Sequence, residues 1–283
     1  MTYADFLLIF LLAPLIGLVV TLRRRLLDRR FLALAGGLTL VALLYMAPWD
    51  HTAAVWGLWT WAPGRTWGAR WWAVPPEEYL FCMLEALLAV TLIYAVLLWR
   101  GRIARSNGAN DANDADDERA GRSISAGAPA SLGAGLLAMA APVGAHWAYL
   151  PFLLVWALPV IVIQWALGGR YLWRERRSWA WVALGLCAYF TLADAVAIQA
   201  GVWSFDVHAL VGVALGPVPL EEILFYLLTA LMVTQGFVAL WYGYADRAAL
   251  ARRSRARLAR LRGWDRPTGE SSRASALEAH DER

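Results

Sequence analysis

Six carboxyl groups recur at fixed spacing in this chain. Asp50 stands 27 residues ahead of Glu77-Glu78, and Asp194 stands 27 ahead of Glu221-Glu222. The two cassettes align without a gap at an offset of 144 residues, with Gly57-Leu58-Trp59 falling on Gly201-Val202-Trp203, Val74-Pro75 on Val218-Pro219 and Leu80-Phe81 on Leu224-Phe225. Both lie among apolar segments, where carboxylates are costly and by default mark function. A carboxyl cluster shares protons, so one member can act as an acid while another accepts. The ordinary alternative is a pair of glutamates that simply complements the dipole of a helix start behind a proline. Duplication with a fixed partner aspartate favours function. Asp50 and Asp194 are placed where each could hydrogen-bond the glutamates of the following helix. Glu85 lies one or two turns below the first pair, with Thr229 at the matching position of the second half. It is a candidate proton relay, or an acid satisfied locally by a hydroxyl.

Aromatic residues crowd the acids. Trp49, Trp56, Trp59, Trp61, Trp67, Trp71 and Trp72 fill or flank one connection, with Tyr45, Tyr79 and Phe81 beside it; Trp203, Phe205, Phe225 and Tyr226 lie in the second half, where Tyr189 matches Tyr45. Many belong to the aromatic belt of a membrane interface. Aromatic faces also stabilise a cation in a dry cavity. Trp49, Trp59, Trp203, Tyr45, Tyr189, Phe81 and Phe225 are the candidates for such a pocket. Acids, aromatic faces and access from lipid together point to acid-initiated chemistry on an apolar alkene.

The elements that must hold these groups are membrane helices. The chain is 60% hydrophobic with 17 Trp among 283 residues and a mean hydropathy of +0.47. Its charges fall in short runs between long uncharged stretches, the pattern of an all-α integral membrane protein. Seven segments are long and apolar enough to cross a bilayer: 4–22, 31–48, 77–99, 131–147, 148–167, 179–199 and 220–244. The arginines of the first segment follow its apolar run, which reads as a retained helix rather than a signal peptide. Arginine runs at 23–30, 100–105, 170–177 and 247–257 place those connections in the cytoplasm and the N-terminus outside, in a cell membrane. Both cassettes then sit toward the outer face. Two three-helix repeats copied directly would come out inverted, and the segment 131–147 restores a parallel layout of three plus one plus three. The expected division is a first repeat over 1–100, a disordered linker over 101–130, the connecting helix 131–147, a second repeat over 148–245 and a basic cytoplasmic tail over 246–283.

Other chemistries find little support. Cys82 and Cys187 fall within expected membrane helices, which argues against a disulfide framework. His51, His146, His208 and His280 show no metal-ligand spacing, so no metal is expected. No glycine-rich dinucleotide fingerprint follows a strand, and nothing calls for a flavin or nicotinamide. No cofactor and no nucleic-acid partner are expected.

Met46-Ala47-Pro48-Trp49-Asp50, Gly57-Leu58-Trp59 and Pro75-Pro76-Glu77-Glu78, with Pro219-Leu220-Glu221-Glu222 in the second half, resemble the Pro-Trp-Asp and Pro-x-Glu-Glu motifs of the membrane-integral lycopene cyclases. The two repeats in one chain resemble the fused form of the heterodimeric type. Asp194 follows Thr191-Leu192-Ala193 rather than Pro-Trp, so its match to Asp50 rests on spacing. A phytoene synthase domain like that of the fungal fusions is not expected. The resemblance implies a redox-neutral, cofactor-free isomerisation: protonation of a terminal double bond of a linear carotene, attack by the neighbouring double bond, and loss of a proton to leave a β-ionone ring. It assigns Glu77, Glu78, Glu221 and Glu222 to acid and base roles, with Asp50 and Asp194 as proton partners. Implied partners are lycopene or a related linear carotene, membrane lipid and other enzymes of carotenoid biosynthesis. Three alternatives stay open on the sequence: a small-solute transporter with parallel repeats, a carotenoid-binding protein without activity, and a cyclase making ε or γ rings.

Overall fold

In the computed structural model, residues 1–23, 25–26, 28–103 and 147–264 are described, with side chains to Asp246. The chain divides into a compact unit, Met1–Trp241, and a second, Tyr242–Arg283, which is helical as far as Trp264. Among the described residues, six helices are long and apolar enough to cross a membrane. They are α1 (Tyr3–Leu22), α2 (Arg29–Trp56), α3 (Pro76–Trp99), α4 (Tyr149–Arg174), α5 (Arg176–Gln199) and α6, whose apolar part is Leu220–Asp246. Six of the seven expected spans fall on these helices. The expected connecting segment 131–147 lies outside the described residues but for Trp147, as do the expected linker beyond Ile103 and the tail beyond Trp264.

Local chemistry sets the helix ends. Thr2 and Asp5 form a reciprocal capping box at the start of α1, and Asp28 caps α2 through the N–H of Arg30. Pro76 occupies the first turn of α3, where its missing N–H costs nothing. The expected second span ends at 48, but α2 continues through Pro48 to Trp56. The stop signal is Gly57 rather than the proline. Gly57 takes φ +70° while its N–H and that of Leu58 reach back to Ala53, and Gly201 with Val202 repeats this at the end of α5. Asp50 and Asp194 therefore sit inside the last two turns of their helices, not beyond them.

Small residues bring the helices close. An added Cβ at Gly168 of α4 would stand 2.6 Å from the Ala239 Cβ of α6, a contact that only glycine permits. The Gln164 side chain bridges the same pair of helices by donating to the Met232 carbonyl at 2.7 Å.

Short strands tie the halves together where the acids lie. β1 (Trp59–Trp61) pairs antiparallel with β2 (Trp203–Phe205), while β3 (Ala214–Leu215) and β4 (Val218–Pro219) form a hairpin before α6. In the β1–β2 ladder Thr60 faces Ser204, its own counterpart 144 positions on, with Trp59 opposite Phe205 and Trp61 opposite Trp203. Contact between equivalent positions is what a twofold relation between halves produces. At the far end of α3, Arg100 donates to Ser178 at the start of α5, whereas Tyr149 at the start of α4 reaches Glu222 in the first turn of α6. α3 thus ends, and α4 begins, at opposite ends of the bundle.

Candidate active site

The two cassettes converge on one cavity. Asp50 of α2, Glu78 of α3 and Glu222 of α6 line it, with phenols from Tyr3 of α1 and Tyr149 of α4. Strands β1 and β2 supply Trp59, Trp61, Trp203 and Phe205 as one aromatic wall, and Phe81, Phe225 and Tyr226 stand on the helices below. Asp194 lies behind the wall, where its Oδ1 accepts from Trp203 Nε1 at 2.8 Å. All six cassette acids and Glu85 are buried, none more than 9% exposed. Burying this many carboxyl groups carries a large desolvation cost that only protons and hydrogen bonds can offset.

The members of each glutamate pair are held differently. Glu77 accepts the Trp67 backbone N–H at 2.5 Å, and Glu221 accepts that of Val211 at 2.6 Å. Those two donors are again 144 positions apart, so the first glutamate of each pair pins the loop that leads into its own helix. The second glutamate of each pair turns to the cavity and meets a phenol. Tyr3 donates to Glu78 at 2.8 Å and Tyr149 to Glu222 at 2.5 Å. Glu78 also accepts from Trp61 Nε1 at 3.0 Å. One oxygen each of Asp50, Asp194, Glu77 and Glu221 is buried without a hydrogen-bond partner. Such oxygens are rare in folded proteins and call for a reason.

Trp49, one residue before Asp50, is the hub of the aromatic shell. Its ring stacks on Trp156 at 4.7 Å, on Phe152 at 5.2 Å and on Phe225 at 5.7 Å, and tilts against Trp59 at 5.4 Å. A positive charge developing beside Asp50 and Glu222 would face ring π-systems rather than water, the arrangement that stabilises a carbocation without quenching it.

Comparison with known proteins points the same way. The family model for lycopene cyclase matches residues 1–97 and 145–240, two stretches that begin 144 positions apart. The chain belongs to the lycopene cyclase family. Lycopene beta-cyclases of two Halobacterium salinarum strains are each 34% identical to it, over 84% of this chain and 94% of theirs. The bifunctional lycopene cyclase/phytoene synthase of Aspergillus oryzae is 25% identical over 74% of this chain but only 34% of its own length. No solved structure matches.

The family motifs, Pro-Trp-Asp and Pro-x-Glu-Glu, thus supply three of the cavity's carboxyl groups, while other expected pocket residues stand elsewhere. Tyr45 is 40% exposed and donates to the Trp156 carbonyl at 2.8 Å, below the cavity. Tyr189 donates to the Phe10 carbonyl at 2.9 Å. Phe10 lies in a π-helical stretch of α1, Leu7–Leu12, and Tyr189 caps it rather than facing the acids. The expected aspartate-to-glutamate hydrogen bonds are not the ones found among the described residues, because Trp203 takes Asp194 and the tyrosines take the glutamates. Tyr3 and Tyr149 escape the gapless alignment because they are 146 residues apart, not 144. The available signal was a tyrosine opening the first helix of each half.

Proposed function

We propose that the protein is a lycopene β-cyclase of carotenoid biosynthesis, an isomerase of the intramolecular-lyase class that turns the linear end groups of lycopene into β-ionone rings through γ-carotene to β-carotene. The observation that carries this is the single cavity in which Glu78 and Glu222, one from each half, meet Asp50 inside an aromatic shell. Either glutamate, held by its phenol, gives a proton to the terminal double bond of an end group. The carbocation is attacked by the neighbouring internal double bond, forming the ring carbon–carbon bond. A carboxylate of the cluster then removes a ring proton. One proton enters and one leaves, so the product has the mass of the substrate. Asp50 and Asp194 serve as proton partners, Glu77 and Glu221 hold the loops that seat the pair, and Glu85 relays protons from below.

In this reading both halves build one site, and each end of the carotene is cyclised in a separate visit. The chain is read as two parallel three-helix repeats, 1–100 and 148–245. The arginine runs support an orientation in the cell membrane with the N-terminus outside. Lycopene, membrane lipid and neighbouring carotenoid enzymes are its partners. The test is pigment analysis by chromatography and mass spectrometry in a lycopene-accumulating bacterium expressing the chain. Conversion to γ- and β-carotene at unchanged mass is expected; unaltered lycopene beside membrane-inserted protein overturns the proposal.

A further inference from the structure

Directly below the acid cavity lies a second and larger space. It is a groove bounded by Leu38 to Met46 of α2, Trp156 to Gln164 of α4, Glu85 of α3 and Thr229 of α6. The stretch from Leu38 to Met46 spans eight residues, so the groove runs roughly 12 Å along the helices. Its walls are almost wholly apolar, and Val41, 62% exposed, leaves one side open to lipid. Tyr45 and Trp156 line the end toward the acids, while Gln164, tied to Met232, lines the other.

We propose that this groove is the binding site for the conjugated chain of the carotene, holding it in line while one end group sits among the acids. This rests on the reading of the protein as a carotene cyclase. Two observations choose the occupant. First, groove and cavity are neighbours on the same helices: α2, α3 and α6 wall both, with Trp49, Phe81 and Phe225 above and Met46, Cys82 and Thr229 immediately below. Second, the boundary is a row of nearly parallel rings. Tyr45 stacks on Trp156 at 17°, Trp156 on Trp49 at 23° and Trp49 on Phe225 at 8°. These rings lead from the groove, lined by Tyr45 and Trp156, to the cavity, lined by Trp49 and Phe225, so a flat conjugated chain crossing the boundary packs along aromatic side chains all the way to the acids. A rigid chain also transmits position, so that seating it in the groove fixes the reacting double bond against Glu78 and Glu222.

The test fills the groove without touching the acids. Ala42→Trp and Val160→Trp each place an indole in the groove from opposite walls, and Leu44→Trp puts one on an exposed surface of α2 outside it. Each is expressed in lycopene-accumulating cells and scored for cyclised product per membrane-inserted protein, and for lycopene retained through detergent purification by its visible absorbance. Both groove variants are expected to lose product and retained lycopene about tenfold or more, since forcing two bulky groups into one filled space carries at least that penalty. Leu44→Trp is expected to match the parent. Groove variants that cyclise and retain lycopene at parental levels overturn the groove while leaving the cyclase reading intact. A parent chain that retains lycopene in a groove-dependent way without converting it overturns the cyclase reading alone. A parent that neither retains nor converts it overturns both.

Discussion

Thr229 donates to Glu85 across the two halves at 2.7 Å, and the two residues are equivalents, 144 positions apart. With Thr60 and Ser204, whose hydroxyls lie 3.2 Å apart, they mark two points where a position meets its own counterpart. The Thr229 hydroxyl also lies 3.0 Å from the Phe225 carbonyl, and one hydroxyl hydrogen cannot serve both acceptors fully. The bond to Glu85 is therefore a shared one, made possible because a threonine replaces the second copy of the acid. Two carboxyl groups there would face each other in an apolar interior.

Thr229→Val is expected to leave Glu85 as a buried acid without its partner and to lower stability by about 1–3 kcal/mol. Glu85→Leu combined with Thr229→Val is expected to recover most of that loss, because removing both partners leaves nothing unsatisfied. Thermal unfolding of the four proteins in detergent closes the cycle. A double variant whose loss is the simple sum of the two single losses contradicts the pairing.

Within each glutamate pair, the first member accepts a loop N–H. Glu77→Gln and Glu221→Gln preserve an acceptor for Trp67 and Val211. These variants are expected to keep most of the cyclised pigment, whereas Glu77→Ala and Glu221→Ala leave the Trp67 and Val211 N–H groups without their acceptor, a loss of about 1–3 kcal/mol, and unfold at lower temperature. Parallel pigment yields and unfolding curves decide the matter. Loss of activity in Glu77→Gln as complete as in a Glu78 variant contradicts the division of labour.

Tyr3 and Tyr149 are expected to matter for rate more than for folding. Tyr3→Phe and Tyr149→Phe keep the ring packing, Tyr3 on Trp203 at 5.1 Å and Tyr149 on Trp59 at 5.6 Å, and delete only the donor to a glutamate. Losing a hydrogen bond to an acid is worth about 1–3 kcal/mol, so a drop of roughly ten- to hundredfold in cyclisation is expected. Initial rates on lycopene in reconstituted membranes measure it. Unchanged rates in both variants contradict a role for the phenols.

Gly168→Val is expected to separate α4 from α6. The new Cβ would meet that of Ala239 at 2.6 Å, and overpacking of this kind costs about 1–3 kcal/mol. Gly17, with no atom near an added Cβ, is the matched control for which Gly17→Val is expected to leave the unfolding temperature close to that of the parent. Equal melting of the two variants contradicts the close packing.

The sequence revealed what repeats. Asp50, Glu77, Glu78 and their counterparts stood out because spacing, residue type and apolar context coincided, and the six helices followed from segment length alone. Which glutamate faces the cavity was not legible, because both sit in the first turn and the choice depends on where the Trp67 and Val211 loops return. The tyrosines were hidden by a two-residue shift between the halves. Tyr45 and Tyr189 were misleading for the opposite reason: their sequence symmetry is real, but each hydroxyl is spent on a nearby carbonyl. The expected second span stops at 48, eight residues short of the end of α2. It is Gly57, with its left-handed backbone, that ends the helix.

In the proposed function one site is built from both halves. Pigments from lycopene-accumulating cells expressing Glu78→Gln or Glu222→Gln, each beside the parent chain and normalised to membrane-inserted protein, test it most directly. Either single change is expected to leave lycopene as the pigment, with γ-carotene and β-carotene reduced about a hundredfold or more, as when an acid–base group is lost. Bicyclic β-carotene at parental levels in either variant would mean that one half cyclises both ends by itself, and would contradict it.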